Sequence, residues 1–147
     1  MLRGRFGIQL IGYLCVSTML IGCSGDSDRG ATVRYPVRGT VKFQSKPTEY
    51  AVVTFHPVDP DQSEFGSASG VCNEDGEYQL TTKKPLDGAV PGKYNVAITW
   101  RIPDNPRETD TLYGKELLPK KYLDPKTSGL EREVDATDNE INFELSP

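Results

Sequence analysis

The chain has 147 residues, 26% of them charged and 36% hydrophobic, with a formal net charge of −4. That length holds one ordinary domain and little else. The acidic balance argues against nucleic acid as a partner, because phosphate binding needs clustered Lys and Arg to release counterions.

The N-terminus reads as a separate object. Arg3 and Arg5 open it, and an apolar run from Phe6 to Leu20 follows. Small residues then close the segment, which is the order of an export signal. From Phe6 to Gly22 the run sits at the lower limit of about 17 residues needed to span a bilayer, so length alone does not separate a cleaved signal from an anchor. Its end does. Leu20-Ile21-Gly22-Cys23 resembles the bacterial lipobox, in which the cysteine thiol receives a diacylglyceryl group and the signal is cut just ahead of it. The resemblance implies lipid attachment at Cys23, with acyl chains such as palmitate. Two or three chains, at about 0.8 kcal/mol per buried methylene, hold a protein on a membrane where one does not.

Cleavage before Cys23 removes residues 1–22 and leaves 125. Loss of Arg3 and Arg5 leaves 15 bases against 21 acids, a formal −6. An acidic exterior repels anionic headgroups, so lipid rather than charge is expected to hold the protein at the membrane. Cys15 leaves with the signal and Cys23 carries lipid, so Cys72 is the one remaining thiol and no internal disulfide is expected. Residues 23–32 read as the lipidated N-terminus and a flexible tether. Its nine residues after Cys23 reach about 17 Å on average. Ser24, rather than aspartate, follows the lipid-bearing cysteine, which by resemblance to sorted envelope lipoproteins favours the outer membrane.

The domain is expected over residues 33–147. In "VRGTVKF" (37–43) Val37, Gly39, Val41 and Phe43 share one face, with Arg38, Thr40 and Lys42 on the other. Period-two segments recur at 51–56, 67–73, 77–82, 93–101, 130–134 and 141–145, giving seven candidate strands. Glu74-Asp75-Gly76 signals a hairpin between the third and fourth. Prolines from Pro36 to Pro125 interrupt most long segments, and the one place left for a helical turn is Thr111 to Leu118, stopped by Pro119. Seven short alternating strands argue for an all-β, seven-stranded antiparallel two-sheet sandwich.

The segments "VRGTVKFQSKPTEYAVVTFHP", "SGVCNEDGEYQLTT", "PLDGAVPGKYNVAITW", "LPKKYLDPKTSGLEREV" and "NEINFELSP" occur in that order. Together they resemble the carboxypeptidase-regulatory-like, transthyretin-like domains of bacterial envelope lipoproteins, over about Val37 to Leu145. "DGAVPGKYNV" and "KTSGL" carry the resemblance most specifically. Cys72-Asn73 departs from it, since such domains often have Thr-Asp before the hairpin turn. The resemblance implies a seven-stranded sandwich and no catalytic machinery.

Several stretches imitate chemistry. "GSASG" (66–70) has Ala68 where a nucleophile elbow needs serine. "GAVPGK" (88–93) has its glycines one residue too close for a phosphate loop, and Tyr94 stands where Ser or Thr would hold magnesium. "DPDQSE" (59–64) lacks both the turn glycine and the bidentate glutamate of a calcium loop and reads as a solvated acidic loop. His56 has no second histidine to form a metal pair, and Cys72, in phase with Ala68 and Gly70, reads as a small core residue. Trp100 is in phase with Tyr94, Val96 and Ile98 and reads as core. Tyr113 and Tyr122 lie in or beside a segment from Ile102 to Lys121 that exceeds the usual 12–15 residues of a loop, so a binding surface is sought there first. No catalytic residue, metal or cofactor is expected. The expected role is a lipid-anchored, non-enzymatic, monomeric module of the bacterial envelope, structural or protein-binding. The alternative is a glycan- or peptide-binding module that uses the 102–121 loop.

Overall fold

A computed structural model describes residues 32–102 and 114–147. Cys23, Tyr113 and the expected signal and tether up to residue 31 lie outside the described residues. The elements are β1 (Val37–Phe43), β2 (Lys46–Pro47), β3 (Val52–Pro57), α1 (Pro60–Ser63), β4 (Ala68–Val71), β5 (Glu77–Gln79), β6 (Gly92–Thr99), a 3-10 turn (Lys120–Leu123), β7 (Glu131–Val134), β8 (Asn139–Glu140) and β9 (Phe143–Leu145). They form two sheets. One runs β4-β3-β6-β7, antiparallel throughout. The other gathers around β1, which pairs antiparallel with β2 and β5 and parallel with β8 and β9.

All seven expected strands are present, and the sandwich expectation holds. Val37 and Val41 of β1, Val53 and Phe55 of β3, Val96 and Ile98 of β6, and Phe143 and Leu145 of β9 are buried. Each fully buried large side chain contributes roughly 1.5–3 kcal/mol through removal of apolar area from water. Phe55 bridges the two layers, with its ring centroid 5.7 Å from Tyr94 and 6.2 Å from Phe143.

Four details differ from the sequence expectation. First, β8 and β9 run parallel to β1. The chain crosses from β7 in one sheet to β8 in the other, so no tight hairpin forces the antiparallel sense. Second, Gln44 and Ser45, with φ of 52° and 63°, turn β1 into the short β2 without an Asn-Gly signal. Glu144 Oε1 accepts the Ser45 N–H at 2.8 Å and the Leu145 carbonyl accepts the Gln44 N–H at 3.0 Å, so the partner strand holds the turn. Third, the Asp75-Gly76 turn forms, but β4 and β5 belong to different sheets and are linked by an isolated bridge between Ser69 and Thr81. Fourth, residues 114–118 are not helical. The helical turns sit at 60–63, where Asp59 Oδ1 accepts the Asp61 N–H and Pro60 occupies the first turn, and at 120–123. Proline stops what precedes it and favours a turn that begins at it.

Candidate functional site

The conspicuous polar side chains of this domain bind its own backbone. Asp87 accepts N–H bonds from Thr82 at 2.7 Å, Lys83 at 3.2 Å and Lys84 at 3.1 Å, and Arg34 lies 3.6 Å away. Burial works against ionisation there, but the three N–H donors and the guanidinium outweigh it and hold the carboxyl below its ordinary range. Glu116 closes the base of the long segment. Its Oε1 accepts the N–H of Trp100 at 2.8 Å and of Leu118 at 3.1 Å, and its Oε2 meets Arg101 Nε at 3.3 Å. Buried Asn139 donates to the Asp135 and Thr137 carbonyls and accepts the Asp135 N–H. Asn73 Oδ1 accepts the N–H of Asp75 and of Glu77, so the asparagine does the work expected of an aspartate at that turn.

The described residues singled out in the sequence each have their own partners in the fold. Tyr122 is 6% exposed, and its hydroxyl donates to the Ser146 carbonyl and accepts the Ser146 N–H. It fastens the C-terminus to the core and is not on a binding surface, a correction to its expected place. Trp100 is half-buried against the core edge. It packs edge-on to Phe43 at 6.2 Å and donates from Nε1 to the Glu49 carbonyl at 2.8 Å. Cys72 is buried, and burial pushes its thiol up to about 11, against the pull of a hydrogen bond with Thr48. His56 Nδ1 lies 3.2 Å from Ser67 Oγ, and among the described residues no carboxylate orients the ring from the other side. A nucleophile, a base and an orienting group are therefore not assembled there. Asp59 caps α1, and Gly88 adopts φ of 78° where a Cβ would collide with the Tyr35 carbonyl.

An open groove of about 900 Å³ lies across the outer face of β1 and β5 and reaches β4. Its floor carries Arg38 and Thr40 from β1, Glu77 and Gln79 from β5, and Glu140 and Asn142 from the C-terminal segment. These side chains are brought together by pairing, since Arg38 stands opposite both Gln79 and Glu140, and Thr40 opposite Glu77. Asn142 Oδ1 accepts both the Thr40 N–H at 2.8 Å and its hydroxyl at 3.0 Å. Two apolar side chains line the same groove, Val71 at 55% and Leu86 at 59% exposure. Leu86 has φ of 58°, a left-handed backbone that costs an ordinary residue about 1–2 kcal/mol. Its N–H donates to Thr81 Oγ1 at 2.9 Å, and the neighbouring Asp87 carboxylate fixes the residues before it. The loop thus holds an apolar side chain outward at a conformational cost.

Sequence reasoning did not find this groove. Alternation identifies Arg38, Thr40, Gln79 and Asn142 as outward-facing, but not that pairing of non-consecutive strands brings them side by side. The available signal was Leu86, an apolar residue between Pro85 and the Asp87-Gly88 turn. A smaller concavity of about 330 Å³ on the outer face of β6 and β7 is lined by Lys93, Asn95, Glu131, Arg132 and Glu133.

No family model matches the chain, and no curated protein does. Among solved structures, a DUF3823 family protein from Parabacteroides merdae ATCC 43184 is similar at 13% identity and a TM-score of 0.40. The match covers 77% of this chain and 46% of that one, so the chain spans less than half of that protein's length.

Proposed function

We propose that the protein is a lipid-anchored, non-enzymatic module of the bacterial envelope. In this reading residues 1–22 are removed, Cys23 carries the acyl chains, and the sandwich stands off the outer membrane on a short tether as a structural or protein-binding component. The observation that carries it is the order of Arg3 and Arg5, the apolar run and Leu20-Ile21-Gly22-Cys23. The likeness of residues 37–145 to the carboxypeptidase-regulatory-like, transthyretin-like domains of envelope lipoproteins points the same way.

Support for a non-enzymatic role comes from how the ionisable groups are used. Asp87 and Glu116, the two carboxylates with the most backbone donors among the described residues, are committed to loop closure. Each of these carboxylates thus spends most of its acceptor capacity on its own chain. The burial of Tyr122 removes one of the two tyrosines on which recognition by the 102–121 loop was based.

Mass spectrometry of the protein from native membranes tests the anchor. The expected N-terminal fragment begins at an acylated Cys23, and Cys23→Ser should leave the precursor uncleaved at Gly22. An unmodified chain beginning at Met1 would overturn the reading.

A further inference from the structure

We propose that the groove across β1, β5 and β4 binds a hydroxyl-rich oligosaccharide chain. This goes beyond the anchored-module reading and uses no feature of the N-terminus, so either proposal can fail without the other.

Four properties of the groove select the ligand. Its size is the first. About 900 Å³ lies near the upper end of the 300–1,000 Å³ usual for ligand sites, and the groove is open, which suits a chain rather than an enclosed metabolite. The second is what projects into it. β1 is an interior strand with partners on both edges, so its part of the floor offers side chains and not free backbone groups. β5 and β4 are the terminal strands of their sheets, but the Ser69–Thr81 bridge and the Asn73 N–H bond to the Glu77 carbonyl tie them to each other, so an extended peptide adding as a strand would have to displace those bonds.

The third property is the kind of side chain. Arg38, flanked by Gln79 and Glu140, sets a guanidinium, an amide and a carboxylate on adjacent strands, about 4.8 Å apart in backbone spacing. Among the described residues the Arg38 and Gln79 side chains make no hydrogen bond or ion pair, so their donors and acceptors are free for a ligand. Planar groups that mix donors and acceptors at fixed spacing suit hydroxyls, each of which donates once and accepts twice. A polyphosphate or nucleic acid is disfavoured, because Arg38 is the sole cation lining the groove among the described residues and Glu77 and Glu140 oppose it.

The fourth property is the apolar rim. Tyr78 lines the floor, but it is buried and its hydroxyl donates to the Ile141 carbonyl at 2.7 Å. Val71 and Leu86 therefore supply the apolar contact that the C–H faces of sugar rings require. Leu86 is held there in a left-handed conformation by Thr81 and the Asp87 turn. Strain kept in an exposed, hydrogen-bonded loop is the pattern of a preorganised contact, which lowers the ordering cost of binding.

Calorimetric titration of the purified full chain in detergent with cellohexaose, maltohexaose and chitohexaose tests the proposal. At least one should bind saturably. Arg38→Ala and Gln79→Ala should each weaken that binding about tenfold or more, the scale of one lost polar contact to a charged or well-placed group. Leu86→Gly, which suits the left-handed backbone, should weaken binding without lowering the melting temperature. Glu133→Ala, on the other concavity, should change nothing. Absence of saturable binding by all three hexasaccharides would overturn the proposal. So would binding indifferent to the three groove variants, or weakened equally by Glu133→Ala. Uptake of a synthetic peptide of residues 24–32 in place of any hexasaccharide would show instead that the groove serves the chain's own tether.

Discussion

The sheet built on β3 and β6 and the sheet built on β1 face one core but are assembled by different means. Between β3 and β6, six successive residue pairs run from Val52–Thr99 to Pro57–Tyr94, and the ladder itself fixes the register. β1 has seven residues and four partners, none sharing more than three pairs with it. Where those short ladders end, side chains take over. Thr48 Oγ1 donates to the Val41 carbonyl, Tyr78 to Ile141, Asn142 accepts from Thr40, and Glu144 accepts from Ser45. A long ladder needs apolar alternation alone, whereas a hub strand with short ladders needs specific polar residues at each break. The groove lies on the hub side, where non-consecutive segments bring unlike side chains together.

The largest expected effect treats both sheets alike, because the core does not distinguish them. Ile98→Ala on β6 and Phe143→Ala on β9 should each cost about 2–5 kcal/mol of unfolding free energy. Both side chains are buried. Thr99→Ala, partly exposed next to Ile98, should stay within about 0.5 kcal/mol. Denaturant titration measures all three. A Phe143 variant as stable as the parent would remove β9 from the core and with it the parallel pairing to β1.

The next effect belongs to the hub side. Asp87 ties the loop after β5 to Arg34, in the segment leading into β1, where Tyr35 and Ala89 form a bridge. Asp87→Ala should cost roughly 1.5–3 kcal/mol at neutral pH, as expected for hydrogen bonds to a charged group. Because the folded-state pKa lies below the unfolded one, this contribution is present in full above about pH 4. It fades as the pH falls through the folded-state pKa, where the carboxyl is protonated in both states. Urea midpoints of the parent and of Asp87→Ala should therefore converge on acidification. A gap that stays constant to low pH would mean that the charge of Asp87 is not what holds the loop.

The two sheets also differ in how far they could be read from sequence. Strict alternation in "AVVTFH" and "KYNVAITWR" is enough to place Val53, Phe55, Val96 and Ile98 inside, and the structure buries all four. On the hub side alternation again places Val37, Val41, Phe143 and Leu145 correctly, since burial is a property of each segment by itself. Pairing is not such a property. That β8 and β9 lie parallel beside β1, that β4 and β5 part into separate sheets, and that Gln44-Ser45 forms a left-handed turn all depend on contacts between distant segments. The groove inherits that dependence. Each of its polar residues reads locally as an ordinary outward position, and Tyr122, which reads locally as a loop tyrosine, is drawn inward by Ser146.

The smallest expected effect isolates this difference with two residues of one type. Asn95 on β6 and Asn142 beside β9 both occupy the outward phase of their segments, and local patterning predicts the same tolerance for each. Asn95 lies opposite His56 within the long ladder, and among the described residues its amide has no hydrogen-bond partner. Asn142 accepts two bonds from Thr40 in the gap between the β8 and β9 ladders along one edge of β1, and its Nδ2 donates to Glu140 Oε1 at 3.3 Å. Removing it leaves the Thr40 N–H with water as its remaining acceptor, since the site is exposed. Asn142→Ala should therefore cost about 0.5–1.5 kcal/mol, the net value of a typical hydrogen bond. Asn95→Ala should stay within about 0.5 kcal/mol. Combined with Thr40→Ala, the Asn142 variant should show a coupling energy, because the two residues share the same bonds. The Asn95 and Thr40 variants should add independently. Equal costs for the two asparagines, or full additivity of Asn142→Ala with Thr40→Ala, would mean that side-chain stitching does not stabilise the hub sheet, and that its short ladders are held by the core alone.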